Sequence, residues 1–66
     1  MEIKFILNKE ETKLKLEENI TIKELLQEKK LPSETIVSKK NGEVVLEEEI
    51  IENGDTIEFI QVIFGG

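Results

Sequence analysis

The residues of this sequence that are best suited to chemistry are Gly65 and Gly66, the last two of the printed chain. Because glycine has no Cβ atom, an extended Gly-Gly segment is thin enough to enter a narrow channel in another protein. It could there place its carboxylate against a nucleotide, and a bulky side chain at either position would block entry. The alternative is a frayed end of permissive residues without a chemical role.

The rest of the composition offers little for catalysis. The 66 residues include no Cys and no His, so they provide no disulfide framework, zinc-finger ligand set, thiol nucleophile or imidazole base. The carboxylates show no metal-ligand spacing on a defined loop. We therefore predict a single small domain that is not an enzyme and holds no metal ion.

The charge of the chain restricts its partners. Fifteen acidic residues against nine lysines give a net charge of -6, which repels phosphate backbones and anionic membranes. No segment approaches the roughly 18 consecutive apolar residues of a membrane span, and the start of the chain alternates instead of forming a signal peptide. The expectation is a cytoplasmic protein, monomeric when free, that binds neither nucleic acid nor membrane and meets proteins with a basic surface.

Apolar periodicity in the first half of the chain predicts a hairpin followed by a helix. Alternation over residues 2–7 and 12–17 indicates two antiparallel strands. Thr21-Ile22-Lys23-Glu24 has the spacing of a capping box and starts a helix of about ten residues, which ends at Pro32. Lys29 and Lys30 are placed in its last turn. The side chains expected to face inward are Ile3, Phe5, Leu7, Leu14, Leu16, Ile22, Leu25 and Leu26.

The second half predicts another hairpin, a helical turn and a final strand. Residues 34–40 and 43–46 flank Asn41-Gly42, a strong hairpin signal. Residues 47–52 are predicted to form one helical turn, and residues 56–62 the last strand, with Ile57 and Phe59 inward. This order predicts an α+β protein in which one helix covers one face of a single sheet and the last strand lies beside the first.

From the first strand to Gly66, the chain resembles the ubiquitin-like β-grasp sulfur carriers of the ThiS/MoaD family. The most specific part is the Gly54-Asp55 turn, the strand after it and the ending Gln61-Val62-Ile63-Phe64-Gly65-Gly66, which is more similar to the thiamin carrier than to the molybdopterin-synthase subunit. Phe64 is bulkier than the small residue often found there. The resemblance implies a β-grasp domain over residues 1–62, with a mixed five-stranded sheet, and a flexible C-terminal Gly-Gly tail over residues 63–66.

The resemblance also implies a mechanism. An adenylyltransferase akin to the ubiquitin-activating enzymes would draw in the tail, so that the Gly66 carboxylate attacks the α-phosphate of ATP. That enzyme supplies ATP and magnesium, and the carrier binds no cofactor stably. Sulfur from a persulfide donor of the cysteine desulfurase or rhodanese type would displace AMP and leave a Gly66 thiocarboxylate. An acceptor synthase would then use this sulfur in thiamin (thiazole) biosynthesis.

Three alternatives remain open from the sequence. The sulfur could go to molybdopterin or to tRNA thiolation. The chain could be a ubiquitin-like modifier that is conjugated to other proteins through Gly66, or a β-grasp module that only binds other proteins.

Several apolar residues are expected outside the core, where they would bind partners. If the first and last strands are neighbours, Ile6, Ile60 and Val62 lie on the solvent face of the sheet, with Ile36 near them. Ile63 and Phe64 would extend this surface towards the tail. The alternative is a scatter of single surface hydrophobes, which is normal in soluble proteins.

Two acidic features have a structural and a functional interpretation. Asp55 follows a glycine in a turn and is expected to accept hydrogen bonds from local backbone amides and not to act as a catalytic acid. The run Glu47-Glu48-Glu49 either lies on a solvated face or meets the basic rim of a partner and speeds the encounter.

Overall fold

The computed structural model describes residues 1–62. They form seven strands, one α-helix and one short 3-10 helix. In chain order the elements are β1 (Glu2–Leu7), β2 (Glu10–Lys15), β3 (Ile20–Thr21), α1 (Ile22–Glu28), the 3-10 helix (Ser33–Thr35), β4 (Ile36–Lys40), β5 (Glu43–Val45), β6 (Ile50–Ile51) and β7 (Thr56–Gln61).

Five of these strands form a mixed sheet in the order β2-β1-β7-β4-β5. The central strands β1 and β7 are parallel, and the other three neighbouring pairs are antiparallel. The predicted α+β class and the position of the last strand beside the first are therefore confirmed. The short strands β3 and β6 form a separate two-stranded ladder, in which Ile20 lies opposite Ile51.

The core lies between the sheet and the apolar side of α1. Ile22, Leu25 and Leu26 of the helix are buried against the inward side chains of the strands. Phe5 of β1 and Phe59 of β7 meet edge to face, with ring centroids 5.3 Å apart, an arrangement that aromatic pairs favour. The predicted inward residues are thus confirmed, with Leu7 and Leu14 only half-buried at the rim.

The helix begins as predicted but ends earlier. Glu24 N–H donates to the Thr21 hydroxyl over 3.2 Å, and Thr21 N–H donates to the Glu24 carboxylate over 3.0 Å, which completes the capping box. The last helical residue is Glu28, and Lys30 adopts a φ of 58°. Leu31 N–H then donates to Leu26 C=O over 2.9 Å, so a Schellman motif, and not Pro32, terminates the helix. Lys29 and Lys30 lie in this cap, so their predicted place in the last turn is wrong.

Two further predictions of local structure are wrong. The first hairpin turn contains only Asn8 and Lys9, both with positive φ, as a two-residue turn requires, so β2 starts at Glu10. Residues 47–52 contain the strand β6 in place of a helical turn. Because successive side chains of an extended segment point to opposite faces, Ile51 lies wholly in the core and Ile50 is exposed.

Within residues 1–62, no helix combines the length and the apolar character that crossing a bilayer requires.

Candidate functional site

The strand that precedes the glycine pair is held on both of its edges. β7 lies between β1 and β4, and its residues Ile57 and Phe59 are fully buried. Two hydrogen bonds fix the chain at its outgoing end: Gln61 N–H donates to the Asn8 side-chain oxygen over 3.1 Å, and Val62 N–H donates to Thr35 C=O over 2.8 Å. Val62, the last described residue, is therefore firmly anchored beside the central strands of the sheet.

The candidate residues Ile63, Phe64, Gly65 and Gly66 lie outside the described residues. The roles of Ile63 and Phe64 in partner binding, and of Gly65 and Gly66 in adenylation and thiocarboxylate formation, stay predictions.

The face of the sheet away from α1 carries an apolar surface near the end of β7. Ile6 and Ile60 alternate with the buried residues of β1 and β7, Val62 follows directly after β7, and all three are half-buried. Val37 of β4 lies directly opposite Ile60 in the β4–β7 ladder, where cross-strand side chains are about 5 Å apart. We call these four residues, Ile6, Val37, Ile60 and Val62, the outer-face patch.

The placement predicted for Ile36 is wrong. Ile36 lies opposite Gln61, on the face that the helix covers, and it packs against the core. Val37, and not Ile36, lies on the solvent face of the sheet beside Ile60. Because successive side chains of a strand point to opposite faces, an error of one residue in phase transfers a side chain from one face to the other.

Charged pairs border the outer-face patch. Lys39 lies opposite Glu58 in the β4–β7 ladder, and Lys4 Nζ lies 3.7 Å from a carboxylate oxygen of Glu11. Lys4 and Glu11 are both about half exposed, and such surface pairs add at most about 1 kcal/mol to stability. The arrangement is therefore an apolar centre with a polar border, which is the general composition of a protein-binding surface.

A second polar feature lies at the start of β7, the end away from the tail. Lys40 Nζ lies 3.2 Å from a carboxylate oxygen of Glu49, 3.5 Å from Asp55 and 3.7 Å from Glu52, and it donates to Ile50 C=O over 2.9 Å. We call these residues, with Asn41, the Lys40 cluster. It joins the β4–β5 turn to the segment on either side of β6, and nothing in the residue pattern around Lys40 indicates it.

Asp55 has a structural role in this cluster. Its carboxylate accepts a hydrogen bond from Glu52 N–H over 2.8 Å and another from the Asn41 side-chain amide over 3.1 Å. These contacts agree with the turn role expected for Asp55. Within residues 1–62, no group of three or more acidic side chains is arranged to hold a metal ion.

The two central charges of the cluster stabilise each other. Burial opposes the charged form of both Lys40 and Asp55. For Lys40, the hydrogen bond to Glu49 and the charge of Asp55 outweigh the effect of burial, so the pKa of Lys40 is raised. For Asp55, the bonds from Glu52 N–H and Asn41 and the charge of Lys40 outweigh burial, so its pKa is lowered. The cluster therefore favours the ionised pair.

The lowered pKa of Asp55 predicts a dependence of stability on pH. A carboxyl whose pKa is lower in the folded state stabilises the fold above its ordinary pKa of 3.8, and this contribution is lost as the pH falls through the folded-state value. Asp55→Asn should lower the free energy of unfolding by about 1–3 kcal/mol at neutral pH, and the difference from the wild type should shrink below pH 3.8.

Urea unfolding of both proteins at several pH values measures this difference. Glu17→Gln is the matched control, because Glu17 is exposed, and its stability should follow that of the wild type at every pH. A difference for Asp55→Asn that stays constant with pH would show that the charge of Asp55 does not contribute.

The fold and the position of these surfaces define the class of the protein. A mixed sheet with parallel central strands, one helix across one face and a last strand that emerges from the middle of the sheet is the ubiquitin-like β-grasp fold. Within this class the chain belongs to the ThiS family, whose model matches residues 2–66. Both findings confirm the resemblance found in the sequence.

Solved structures agree with this assignment. The crystal structure of the thiamine biosynthesis protein ThiS from Geobacter metallireducens is 25% identical, with a TM-score of 0.66, and the alignment covers 96% of this chain and 97% of that one. A solution NMR structure of a thiamine biosynthesis protein from the same organism is 26% identical, with a TM-score of 0.67 and coverage of 96% and 87%.

A third structure shows likeness of fold alone. It is a ubiquitin-like protein from the hyperthermophilic archaeon Caldiarchaeum subterraneum, 22% identical, with a TM-score of 0.65 and coverage of 98% of this chain and 100% of that one.

Proposed function

We propose that this protein is a sulfur carrier of thiamin biosynthesis that carries the sulfur on the carboxylate of Gly66. The observation on which the proposal rests is membership of the ThiS family over residues 2–66. The two Geobacter metallireducens structures, which are named for thiamine biosynthesis, support this pathway over sulfur delivery to molybdopterin or tRNA.

The carrier contributes a rigid domain that a partner enzyme can bind. β7 is anchored on both edges up to Val62, and four further residues separate this point from the Gly66 carboxylate. At about 3.3–3.6 Å per extended residue, they would reach roughly 13 Å. An enzyme that grips the sheet could therefore hold the carboxylate in an active site that the folded domain itself does not enter.

The chemistry would belong to the partners. In an adenylyltransferase, a Gly66 carboxylate oxygen attacks the α-phosphate of ATP, so that pyrophosphate leaves and a glycyl-adenylate forms. A persulfide sulfur then attacks the acyl carbon and AMP leaves with the electron pair of its bond. A second thiol cleaves the resulting S–S bond, which leaves a Gly66 thiocarboxylate and a disulfide on the donor. In this scheme the carrier is not itself the catalyst.

The outer-face patch is the surface that we assign to the adenylyltransferase. It lies on β7 and its two neighbours, close to the anchored point from which the tail leaves. Binding there would both align the tail and bury the half-exposed side chains of the patch.

Intact mass spectrometry tests the proposal directly. Incubation with ATP, magnesium, the adenylyltransferase and a persulfide donor should raise the mass of the protein by about 16 Da, because one oxygen atom is replaced by sulfur. A reaction without ATP is the control and should show no gain. A ladder of larger conjugates in place of this gain would show a protein modifier, and an unchanged mass would leave only a binding module.

A further inference from the structure

A second surface of the molecule lies at the edge strand β5 and is not used by the proposed sulfur chemistry. In residues 1–62, the large hydrophobic side chains that are exposed are Val44, Leu46 and Ile50, at 67%, 76% and 53%. All three lie within seven consecutive residues. Single exposed hydrophobes need no explanation, but contiguous apolar surface marks interaction sites, and Val44 and Leu46 line one groove.

This segment borders a groove. The groove has a volume of about 320 Å³ and lies beside β4 and β5, large enough for one or two apolar side chains of a ligand. Its apolar lining consists of Leu26, Ile36, Val37, Val44, Val45 and Leu46. We call it the β5-edge groove. Val37 is the one residue that the groove shares with the outer-face patch. Leu26 belongs to α1, which covers the other face of the sheet.

The backbone around the groove is held in place. Glu49 N–H donates to Leu46 C=O over 3.1 Å, which closes a turn after the edge strand, and Lys23 N–H donates to Glu47 C=O over 2.9 Å. Lys40 Nζ binds Ile50 C=O over 2.9 Å and so ties the far end of the segment to β4. The exposed side chains are therefore presented by an ordered segment, which lowers the entropic cost of binding.

The last 26 residues of the chain, which include β5, carry only acidic charges. Residues 1–40 contain all nine lysines and eight acidic residues, whereas residues 41–66 contain seven acidic residues and no lysine. Glu49, Glu52 and Asp55 lie within 4 Å of Lys40. Among residues 1–62, no lysine forms a salt bridge with Glu43, Glu47 or Glu48. Glu47 lines the groove. Of the lysines opposite β5, Lys39 also lies opposite Glu58 and Lys40 is within 4 Å of three carboxylates, so acidic side chains outnumber lysines beside the groove.

We propose that the β5-edge groove binds a partner protein through an apolar side chain flanked by lysine or arginine residues. The apolar lining would take the anchor, and Glu43, Glu47 and Glu48 would attract the flanking cations. The same charges oppose pairing of the groove with a second copy of this acidic chain. This inference does not depend on the chemistry of Gly66.

Two peptides test the inference without ATP or any enzyme. One has a central Leu-Phe pair flanked by lysines, and the other has glutamates in place of the lysines. In NMR titrations of the full chain, the lysine peptide should shift the amide signals of residues 36 and 44–47, and added salt should weaken its binding. The glutamate peptide should bind at least about tenfold more weakly. Equal binding of both peptides would overturn the proposal.

Matched variants test whether the lysine peptide binds at the β5-edge groove or is attracted by the net negative charge of the whole chain. Glu47→Lys/Glu48→Lys should weaken binding of the lysine peptide by about tenfold or more, and Leu46→Ser by about threefold to tenfold. Glu17→Lys/Glu18→Lys makes the same change of net charge at exposed positions elsewhere and should have little effect. Loss of binding in both double variants, or in neither, would contradict the assignment. Leu46→Ser decides the matter if the reversed charges disturb folding.

Two further outcomes would identify a different occupant. If deletion of residues 63–66 shifts the groove signals of the free protein, the chain covers the groove with its own segment. If these signals shift with protein concentration, a second copy covers it. Either result would overturn the proposal, whereas unchanged signals in both experiments support it.

Discussion

A chain extended by one alanine after Gly66 is expected to be inert as a substrate of the adenylyltransferase. The added residue moves the carboxylate by one residue, about 3.3–3.6 Å, and puts a methyl group where the proposed channel accepts only glycine. A displacement of about 1 Å at a reacting centre can cost roughly 100-fold in rate. We therefore expect ATP–pyrophosphate exchange to fall by at least about 100-fold and the mass gain to disappear.

The extension should leave the folded domain unchanged. The anchoring bonds of Gln61 and Val62 precede the altered end, so thermal unfolding should match that of the wild type. A chain with a longer extension that is trimmed back to Gly66 by a protease is the rescue control and should recover full activity. Undiminished exchange in the extended chain would place the modification at a group other than the Gly66 carboxylate.

Replacing Ile60 by glutamate is expected to have the second largest effect. Ile60 occupies the centre of the outer-face patch, opposite Val37 and two residues before Val62. A carboxylate there would have to lose its hydration when the adenylyltransferase binds, and no lysine lies opposite it in the β4–β7 ladder. Removal of a central apolar anchor costs about 2 kcal/mol or more, so the apparent KM for the carrier should rise by roughly 30-fold.

Three companion variants define the cause of this effect. Val37→Glu should act in the same way, because Val37 lies across from Ile60. Gln27→Glu adds the same charge on the exposed side of the helix, on the other face of the sheet, and should leave KM unchanged. Ile60→Thr keeps a β-branched residue and should give an intermediate KM. Unchanged kinetics for Ile60→Glu would remove the outer-face patch from the docking surface.

The two proposed docking surfaces would allow one small domain to bind successive partners. The outer-face patch lies at the end of β7, whereas the β5-edge groove lies at an edge of the sheet and includes Leu26 of the helix. A carrier that must meet an activating enzyme and then an acceptor benefits from surfaces of different chemistry. The peptide and adenylation experiments test each surface independently.

The local signals of the sequence were reliable where one short segment decides the structure. The capping box at Thr21 and Glu24 and the Asn41-Gly42 hairpin both form as predicted. The alternation of Ile3 with Phe5 and of Ile57 with Phe59 places these residues in the core. In each case the physical cause lies within a few residues of the chain. It is a side-chain cap for the helix, a positive φ for the turn and a period of two for the strands.

Two of the errors lie where the local pattern is ambiguous. Ile36-Val37 and Ile50-Ile51 are pairs of adjacent β-branched residues, so neither pair shows an alternation from which its phase could be read. Pairing with β7 turns Ile36 inward and Val37 outward, and pairing with β3 turns Ile51 inward and Ile50 outward. Both choices come from strands that are distant in the sequence.

The sequence by itself determined the α+β class, most of the core, the acidic charge and a resemblance that the family match confirms. Only the tertiary structure decided which side chains form the outer-face patch. It also brought three carboxylates within 4 Å of Lys40 and formed the groove beside β5. The reason is physical: caps and periodicity act over one or two turns, whereas a surface is set by register and packing between elements far apart in the chain.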